Sequence, residues 1–337
     1  MPVVTLFYRK VVRQLNINYD KMTMLRVAKY YYLDEMSQQE IAQKENIHRS
    51  QISRILKAAR ELGYVQIRIC TPESDVADTL ATQLKALLGL KEVSVTPAVA
   101  AHADPKETLY FFAARYLEKL LPQCKRIGIG VGQTLYKVAE QLTPQKVKER
   151  PDFFSVAGFS GTDNPYLQAS IILDNFARPF QGYCHYNNFS ICTSCARMSP
   201  LEITRFQELQ AAYQKIDTVV LSIGGPFSKS YPYLEEFSLA VSRSEVLQAL
   251  QRPHGNLLGH VFYDEHECLQ LPQGYCITSM GLQDLEIAPN VICIAGGQQK
   301  VEAIISAAKQ HYINVLITDE TTALQMLHTL KKEKPDN

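Results

Sequence analysis

The stretch Met36–Gly63, MSQQEIAQKENIHRSQISRILKAARELG, predicts two helices joined by a tight turn. Ser37 and Glu40 have capping-box spacing, in which each side chain accepts a hydrogen bond from the backbone amide of the other residue, so a helix begins here. Asn46 ends that helix, and an amphipathic helix follows over residues 49–62. Its outward face carries Arg49, Gln51, Arg54, Lys57 and Arg60, and its inward face carries Ile52, Ile55, Leu56 and Ala59.

The flanking sequence extends this pair of helices into a winged helix-turn-helix. Apolar residues recur at helical spacing over residues 22–34, and Tyr64–Ile69 alternates as a half-buried strand. A helix presented by a tight turn fits the major groove of DNA, where Arg, Gln and Ser pair with base edges and Lys neutralises phosphates. The residues predicted to contact DNA are Arg49, Ser50, Gln51, Ser53, Arg54 and Lys57. The alternative is a small helical bundle whose basic face is only solvated.

Charge is divided unevenly along the 337 residues. Residues 1–70 contain 12 Lys and Arg against 6 Asp and Glu, and the remainder contains 23 against 28, so a net charge of +6 precedes one of −5. This asymmetry indicates that the basic segment meets a polyanion, here double-stranded DNA. No apolar run is long enough to span a membrane and no signal-peptide pattern opens the chain, which favours a cytoplasmic protein with no membrane partner. The eight scattered cysteines are then expected to be reduced thiols.

Residues 1–70 are expected to form an N-terminal extension and a DNA-binding domain, and residues 91–337 a larger domain. Residues 71–90 are expected to form the helix that connects the two domains. The apolar stripe of this helix contains Val76, Leu80, Leu84, Leu87 and Leu88. The stripe has two interpretations, which are packing on the body of the protein and contact between two copies of the chain.

From residue 91 onward, strands alternate with helices, which predicts an α/β fold whose mainly parallel sheet has helices on its faces. Strands are predicted at Glu92–Thr96, Arg126–Val131, Phe153–Ala157, Thr218–Ile223, Val291–Ala295 and Asn314–Thr318. Helices are predicted at about 106–120, 134–142, 166–178, 200–214, 298–309 and 320–330. In such folds ligands bind where loops leave the carboxyl ends of the strands.

Glycine-rich loops follow several of these strands and are candidates for a phosphate site. The candidate residues are Gly130, Gly132, Gln133 and Thr134 in one loop, Gly224 and Gly225 in another, Gly296, Gly297 and Lys300 in a third, and Asp319 after the last strand. Glycine lets backbone amides approach a phosphate, a helix start adds positive potential, and Lys300 would add a full charge. The alternative is that the glycines only permit tight contacts between helices and strands.

Two further clusters are weaker candidates. Cys192 and Cys195 form a single CxxC without the second pair of a zinc site, so no metal is expected. Asp264 and His266 could supply an acid and a base, but neither has an obvious partner at useful spacing. No catalytic residue and no cofactor are therefore assigned.

With these motifs the sequence resembles the SorC/DeoR-type sugar-responsive bacterial transcriptional regulators over roughly residues 22–330. In the first domain the similarity lies in Ala28–Tyr32, Met36–Ala42, Ile52–Leu56 and Gly63–Val65. In the second domain it lies in Gly130–Thr134, Ala295–Ile304 and Thr318–Ala323. Residues 1–20 lie outside the resemblance.

The resemblance implies a Rossmann-like α/β effector domain related to sugar-phosphate isomerases and deaminases, which binds a phosphorylated sugar. It also implies a homo-oligomer, dimer or tetramer, on operator DNA. By the same similarity Gly130, Gly132, Thr134 and Lys300 would hold the phosphate, and Asp319 would lie near the sugar.

Two positions depart from the family pattern. Asn256 follows Gly255 where the family usually has an aspartate, so an acceptor carboxylate becomes an amide. Ala157–Gly161 departs from the usual Gly-Gly pair. Asn256 is included among the effector-binding candidates, and the departures predict an unusual effector or a lost response.

The main hypothesis is a DNA-binding regulator of a carbohydrate-utilisation operon whose operator affinity is modulated by a phosphorylated sugar. One alternative is a sugar-phosphate isomerase or deaminase fused to a DNA-binding head, which would use the same glycine loops. Another is an effector domain that has lost its ligand and serves as an assembly platform.

Overall fold

The computed structural model describes residues 20–62, 64–65, 75–97, 104–160, 164, 168–224 and 255–333. The chain divides into two compact units, residues 1–72 and 73–337. Several predicted features lie outside the described residues: the N-terminal extension up to residue 19, the cap at Gly63, strand residues 66–69, residues 71–74, Gly161 and Gly225.

Three helices of the first unit pack around one apolar cluster. They are α1 (Lys21–Tyr32), α2 (Gln38–Glu45) and α3 (Arg49–Glu61). The predicted capping box is present, since Ser37 Oγ accepts a hydrogen bond from the Glu40 amide and Glu40 Oε2 accepts one from the Ser37 amide at 2.8 Å. Asn46 ends α2 in the left-handed conformation, with φ of 51°. The residues predicted on the inward face of α3, Ile52, Ile55, Leu56 and Ala59, are all buried.

The second unit is built on a parallel sheet with helices on both faces, which confirms the predicted α/β class. Its strands are β1 (Glu92–Thr96), β2 (Arg126–Ile129), β3 (Asp152–Ser155), β4 (Tyr183–His185), β6 (Thr218–Leu221), β10 (Asn290–Ile294) and β11 (Val315–Asp319). The described part of this sheet has seven strands in the order β1-β11-β10-β6-β2-β3-β4, and every neighbouring pair is parallel. Because all strands run the same way, their carboxyl ends share one edge.

The helices in the described part of this unit are α4 (Asp75–Leu88), α5 (Pro105–Leu120), α6 (Gln133–Gln141), α7 (Ala169–Ala177), α8 (Pro200–Tyr213), α9 (Leu282–Ile287), α10 (Val301–Lys309) and α11 (Glu320–Glu333). Apolar residues of α5, α6 and α7 form one core cluster with one face of the sheet. Residues of α4, α9, α10 and α11 form a second cluster with the other face. In the part of the chain that the structure describes, no helix combines the length and the apolar character that crossing a membrane requires.

Sequence patterns did not predict the edge strand β4 or two small antiparallel pairs. One pair is β7 (Gly255–Leu257) with β8 (His260–Phe262), and the other is β5 (Cys192–Ser194) with β9 (Tyr275–Ile277). Each of these strands has three residues, too few to show a period of two.

The expectation that all cysteines are reduced is wrong for one pair. A disulfide joins Cys195 to Cys276, whose Cα atoms lie 6.2 Å apart. The pairing of β5 with β9 brings these residues together across 81 positions of sequence, which spacing alone could not show.

The predicted stripe of α4 is only partly buried. Leu80, Leu84 and Leu88 form a row at i, i+4 spacing and lie in the core. Val76 and Leu87 are 50% and 47% exposed, and they are turned about 80° and about 60° around the helix from Leu84, the centre of that row. The stripe therefore packs on the body, as the first interpretation holds, and its two flanking residues do not belong to it.

Two truncations on α4 test this division. Leu84→Ala should lower the free energy of unfolding by about 2–5 kcal/mol, because it leaves a cavity at a fully buried position. Leu87→Ala, the matched control on the same helix, should change it by no more than about 0.5 kcal/mol. Urea unfolding followed by circular dichroism measures both, and equal losses would show that the Leu87 flank is packed.

Candidate DNA-binding face and effector site

The polar face of α3 carries all the residues predicted to contact DNA. Arg49, Ser50, Gln51, Ser53, Arg54 and Lys57 are exposed on it. The helix starts at an N-cap formed by His48, whose Nδ1 lies 2.8 Å from Ser50 Oγ. Cations and hydrogen-bonding side chains thus share one surface, which is the composition needed for phosphates and base edges.

Other cations of the first unit serve to hold the helices together. Arg26 on α1 donates two hydrogen bonds to Glu45 at the end of α2, at 2.8 and 2.6 Å. These bonds lower the pKa of the Glu45 carboxyl. The ammonium of Lys44 lies 4.0 Å from the ring centre of Tyr30. The basic face of α3 is therefore distinct from the cations that stabilise the unit.

In the second unit, three candidate loops meet at one edge of the sheet. They follow β2, β6 and β10, which are neighbours in the order β10-β6-β2, and Asp319 ends the adjacent β11. Residues up to about 190 positions apart in sequence are brought together by the parallel arrangement. The predicted site is thus assembled at the carboxyl ends of the strands.

The two glycines after β2 have different roles. A Cβ on Gly130 would lie 3.0 Å from Leu258 Cδ2, so this glycine permits a tight packing contact. Gly132 has φ of 130° and open space at the Cβ position. It precedes Gln133 and Thr134 at the start of α6, whose first turn has no side-chain cap among the described residues. Gly132, Gln133 and Thr134 therefore present backbone amides at the open side of the loop.

The loop after β10 likewise contains one packed glycine and one open glycine. A Cβ on Gly296 would overlap the carboxylate of Asp319, whereas Gly297 has φ of 110° and open space beside it. Gly297 leads into a 3-10 turn that ends at Lys300. Lys300 is partly buried, and its burial lowers the pKa of the ammonium. No described residue forms a hydrogen bond or an ion pair with this ammonium, so an anion would offset its lost hydration.

Asp319 lies at the carboxyl edge of the sheet, as predicted, but its carboxylate is already hydrogen-bonded within the protein. Oδ1 accepts a hydrogen bond from the Thr322 amide at 2.9 Å, and Oδ2 accepts one from Thr322 Oγ1 at 2.7 Å. Thr322 Oγ1 in turn accepts one from the Gly297 amide at 2.7 Å. We call this chain of hydrogen bonds the Asp319–Thr322–Gly297 link. It fixes the Gly297 turn to the first turn of α11.

Thr322 lies at the candidate site, and sequence reasoning missed it. The signal was present, because Asp319 stands three residues before Thr322 at the start of a predicted helix, the spacing of an N-cap. What sequence could not show is that the hydroxyl of Thr322 also holds a loop from another strand.

Gly224 and Asn256 are joined to each other. Their backbones exchange hydrogen bonds at 2.9 and 3.1 Å, which attach the β7–β8 hairpin to the loop after β6. Asn256 Oδ1 accepts a hydrogen bond from the Gly259 amide at 3.3 Å. The amide that replaces the family's carboxylate therefore keeps an acceptor role within the hairpin.

The acid and base considered in sequence have structural partners. Asp264 Oδ1 accepts a hydrogen bond from Ser306 Oγ on α10 at 2.7 Å. His266 Nδ1 lies 3.3 Å from the Tyr312 hydroxyl and 3.7 Å from Glu286 Oε1. The Ser306 bond fastens the loop after β8 to α10. No group of three or more potential metal ligands occurs in the described ranges.

A cavity that sequence did not predict opens at the same edge, beyond the ends of β3 and β4. Its volume is about 240 Å³, and it is lined by Ser155, Phe159, Ala169, Ser170, Tyr186, Asn187 and Asn188. Its lining mixes hydroxyl and amide groups with aromatic rings, a combination that suits small polar ligands.

Comparison with known proteins agrees with this arrangement. Residues 75–328 match the model of a protein family described as "Putative sugar-binding domain". The chain is similar to the deoxyribonucleoside regulator of Bacillus subtilis strain 168, with 28% identity over 318 residues that cover 91% of this chain and 97% of that protein. It is also similar to the transcriptional regulator LsrR of Escherichia coli K12, with 24% identity over 316 residues, 90% of this chain and 94% of that protein.

Among solved structures, the full-length sorbitol operon regulator SorC from Klebsiella pneumoniae has the same fold. The TM-score is 0.71 at 24% identity, and the match covers 92% of this chain and 100% of that chain. The family model and the relatives define an effector-modulated DNA-binding transcriptional regulator. The chain belongs to the sugar-binding domain family, as a SorC/DeoR-type regulator, which confirms the resemblance found in its sequence.

Removal of one hydroxyl tests the Asp319–Thr322–Gly297 link. Thr322→Val should lower the free energy of unfolding by about 1–3 kcal/mol, because it leaves a buried carboxylate oxygen and a loop amide without their partner. Thr321→Val, at the exposed neighbouring position, is the control and should change it by no more than about 0.5 kcal/mol. Equal stability of the two variants in urea would contradict the link.

Proposed function

We propose that α3 reads an operator, and that the loops after β2 and β10 bind a phosphorylated sugar that changes the affinity for that operator. The operator would belong to a carbohydrate-utilisation operon. The observation that carries the proposal is the partly buried Lys300, which lacks a partner among the described residues and lies beside the open Gly297 turn.

Phosphate is the chemical group that suits this edge. Its oxygens accept hydrogen bonds from backbone amides, and Gly132 and Gly297 leave room for such an approach. Lys300 supplies a full positive charge, and removal from water strengthens its attraction to an anion. The cavity beyond β3, with its hydroxyl and amide lining, offers space for polar groups of a small ligand.

The regulatory step would be thermodynamic linkage. An effector that prefers one arrangement of the protein shifts DNA affinity by no more than the difference between its affinities for the two arrangements. We infer a homo-oligomer, dimer or tetramer, because paired helix-turn-helix units bind paired half-sites. The protein would act in the cytoplasm, where operator DNA lies.

The enzyme alternative shares the glycine loops and differs in needing an acid/base pair. Asp264 is hydrogen-bonded to Ser306, which favours a structural role for it. Turnover of a sugar phosphate by the purified protein, abolished by Asp264→Asn, would favour the enzyme.

The DNA-binding assignment predicts two distinct effects on α3. Arg54→Ala should cost about 1–3 kcal/mol of binding to the operator and relax its sequence preference, as expected for a base contact. Lys57→Ala should weaken binding to operator and to scrambled DNA alike and reduce the salt slope by about 1. The probe is the duplex that wild-type protein selects from a random-sequence pool.

Lys215→Ala is the control for these variants, since it removes an exposed cation from the second unit. Fluorescence anisotropy at several salt concentrations measures all affinities. Unchanged affinity in both α3 variants would exclude this face as the DNA-binding surface.

The effector assignment predicts thermal stabilisation by a sugar phosphate. A ligand that binds only the folded protein at 100 times its Kd stabilises it by about 2.7 kcal/mol, which a panel of phosphorylated and free sugars would reveal as a rise in Tm. Lys300→Ala should abolish the rise, whereas Lys331→Ala, an exposed lysine on α11, should preserve it. Absence of any rise at millimolar ligand would count against a sugar-phosphate effector.

A further inference from the structure

The N-terminal part of α5 packs against the loop that contains Lys300. α5 packs against β1 and β11, and its residue Leu109 reaches Gly296, with Cδ2 3.1 Å from the position of a Cβ there. Lys106 precedes Leu109 by three residues and so shares its face of the helix. Helical side chains lean toward the N-terminus, which directs Lys106 toward the open side of the Gly296–Gly297 turn.

Two lysines lie near each other beside the Gly297 turn. Lys106 and Lys300 are near enough that the positive charge of Lys106 adds to the effect of burial in lowering the pKa of Lys300. Neither ammonium has a hydrogen bond or ion pair with any described residue. Two neighbouring ammonium groups without an ion-pair partner are unfavourable, and an anion bound by both would relieve this.

The nearby carboxylates have other roles. Asp319 is held by Thr322, and Asp104 caps α5 by accepting a hydrogen bond from the Lys106 amide at 2.9 Å. Glu107 lies near Tyr110, since the pKa of Tyr110 is raised mainly by burial and further by the negative charge of Glu107. Neither Asp104 nor Glu107 forms an ion pair with Lys106 in the described structure.

A buried hydroxyl marks the same corner independently. Thr96 ends β1, is 1% exposed, and its Oγ1 has no hydrogen-bond partner among the described residues. It pairs in register with Asp319 on β11, so the two side chains lie on the same face of the sheet, the face that α5 covers. A buried hydroxyl without a partner is unfavourable, and a hydrogen bond with a ligand oxygen would relieve this.

We propose that the first turn of α5 forms a wall of the effector site, where Lys106 and Lys300 together bind one phosphate dianion above Gly297. The inference rests on the proposed function and adds a residue and a specificity to it. Two cations match the two charges of a phosphate monoester near pH 7, so the site selects a phosphorylated ligand over a carboxylate or a neutral sugar.

The test is an NMR titration of the full chain with inorganic phosphate as the probe. The lysines carry ¹³C-methyl groups added by reductive dimethylation. The Lys300 resonance is assigned by its absence in Lys300→Ala. A shift of this resonance reports phosphate bound near Lys300 and not phosphate bound by the basic first unit. Lys106→Gln should raise the Kd for phosphate about tenfold or more, the size of one charge-assisted hydrogen bond. Lys119→Gln, an exposed lysine in the last turn of the same helix, should leave it unchanged, and Lys106→Arg should retain most of the affinity.

A second readout needs no ligand. Lys106→Gln removes a neighbouring positive charge, so the pKa of Lys300 should rise, whereas Lys119→Gln should not move it. A purely structural role for Lys106 would not produce this change.

The outcomes separate the inference from the proposed function. If phosphate shifts the Lys300 resonance with the same Kd in wild type and Lys106→Gln, the inference is wrong and the proposed function stands. If neither phosphate nor any sugar phosphate shifts that resonance in wild type, both are wrong. Loss of affinity in Lys106→Gln together with a raised Lys300 pKa supports the inference.

Discussion

The register of β6 against β2 and β10 sets the position of every loop at the candidate effector site. Thr218 pairs with Ile127 on one side and with Asn290 on the other. Before β6, Asp217 Oδ2 accepts hydrogen bonds from the amides of Lys125 and Arg126 at 3.0 and 2.9 Å. A slip of one residue would break these bonds, reverse the faces of β6 and move its loop by about 3.3 Å. Contacts at the amino ends of the strands thus fix the geometry at their carboxyl ends.

Long periodic segments and capping signals were predictable from sequence. The capping box at Ser37 and Glu40, the buried face of α3 and strand β1 were all predicted at their observed residues. The three-residue strands and the disulfide were not predictable, since they depend on partners distant in sequence.

The candidate site was likewise predictable only where it depends on the order of strands and helices, and not where it depends on contacts between residues distant in sequence. Sequence indicated which loops converge, because strand–loop–helix order determines that. Sequence could not show that Gly130 is packed and Gly132 is open, because this difference depends on the position of Leu258 beside Gly130. It placed Asp319 at the correct edge but could not show that Thr322 occupies its carboxylate.

The two open glycine turns provide similar backbone geometry but different charge. Gly132 and Gly297 have φ of 130° and 110°, and each precedes a helical turn without a side-chain cap in the described structure. The Gly132 turn offers neutral amides. The Gly297 turn adds Lys300, whose burial disfavours its charged form and lowers its pKa. Under the proposed function, the free energy of effector binding would therefore be concentrated at the β10–β11 side of the sheet.

That location determines which elements an effector can act upon. The Gly297 turn is joined through Thr322 to the first turn of α11, and α11 packs against α4, the first helix of the second unit. β1, which ends at Thr96, also packs against α4. Under the proposed function, an anion bound at the Gly297 turn would favour one position of α11 and β1 over others, and both elements contact the helix that follows the DNA-binding segment in sequence. A preference of about 1.4 kcal/mol for one arrangement would suffice for a tenfold change in operator affinity, provided the two arrangements bind DNA differently.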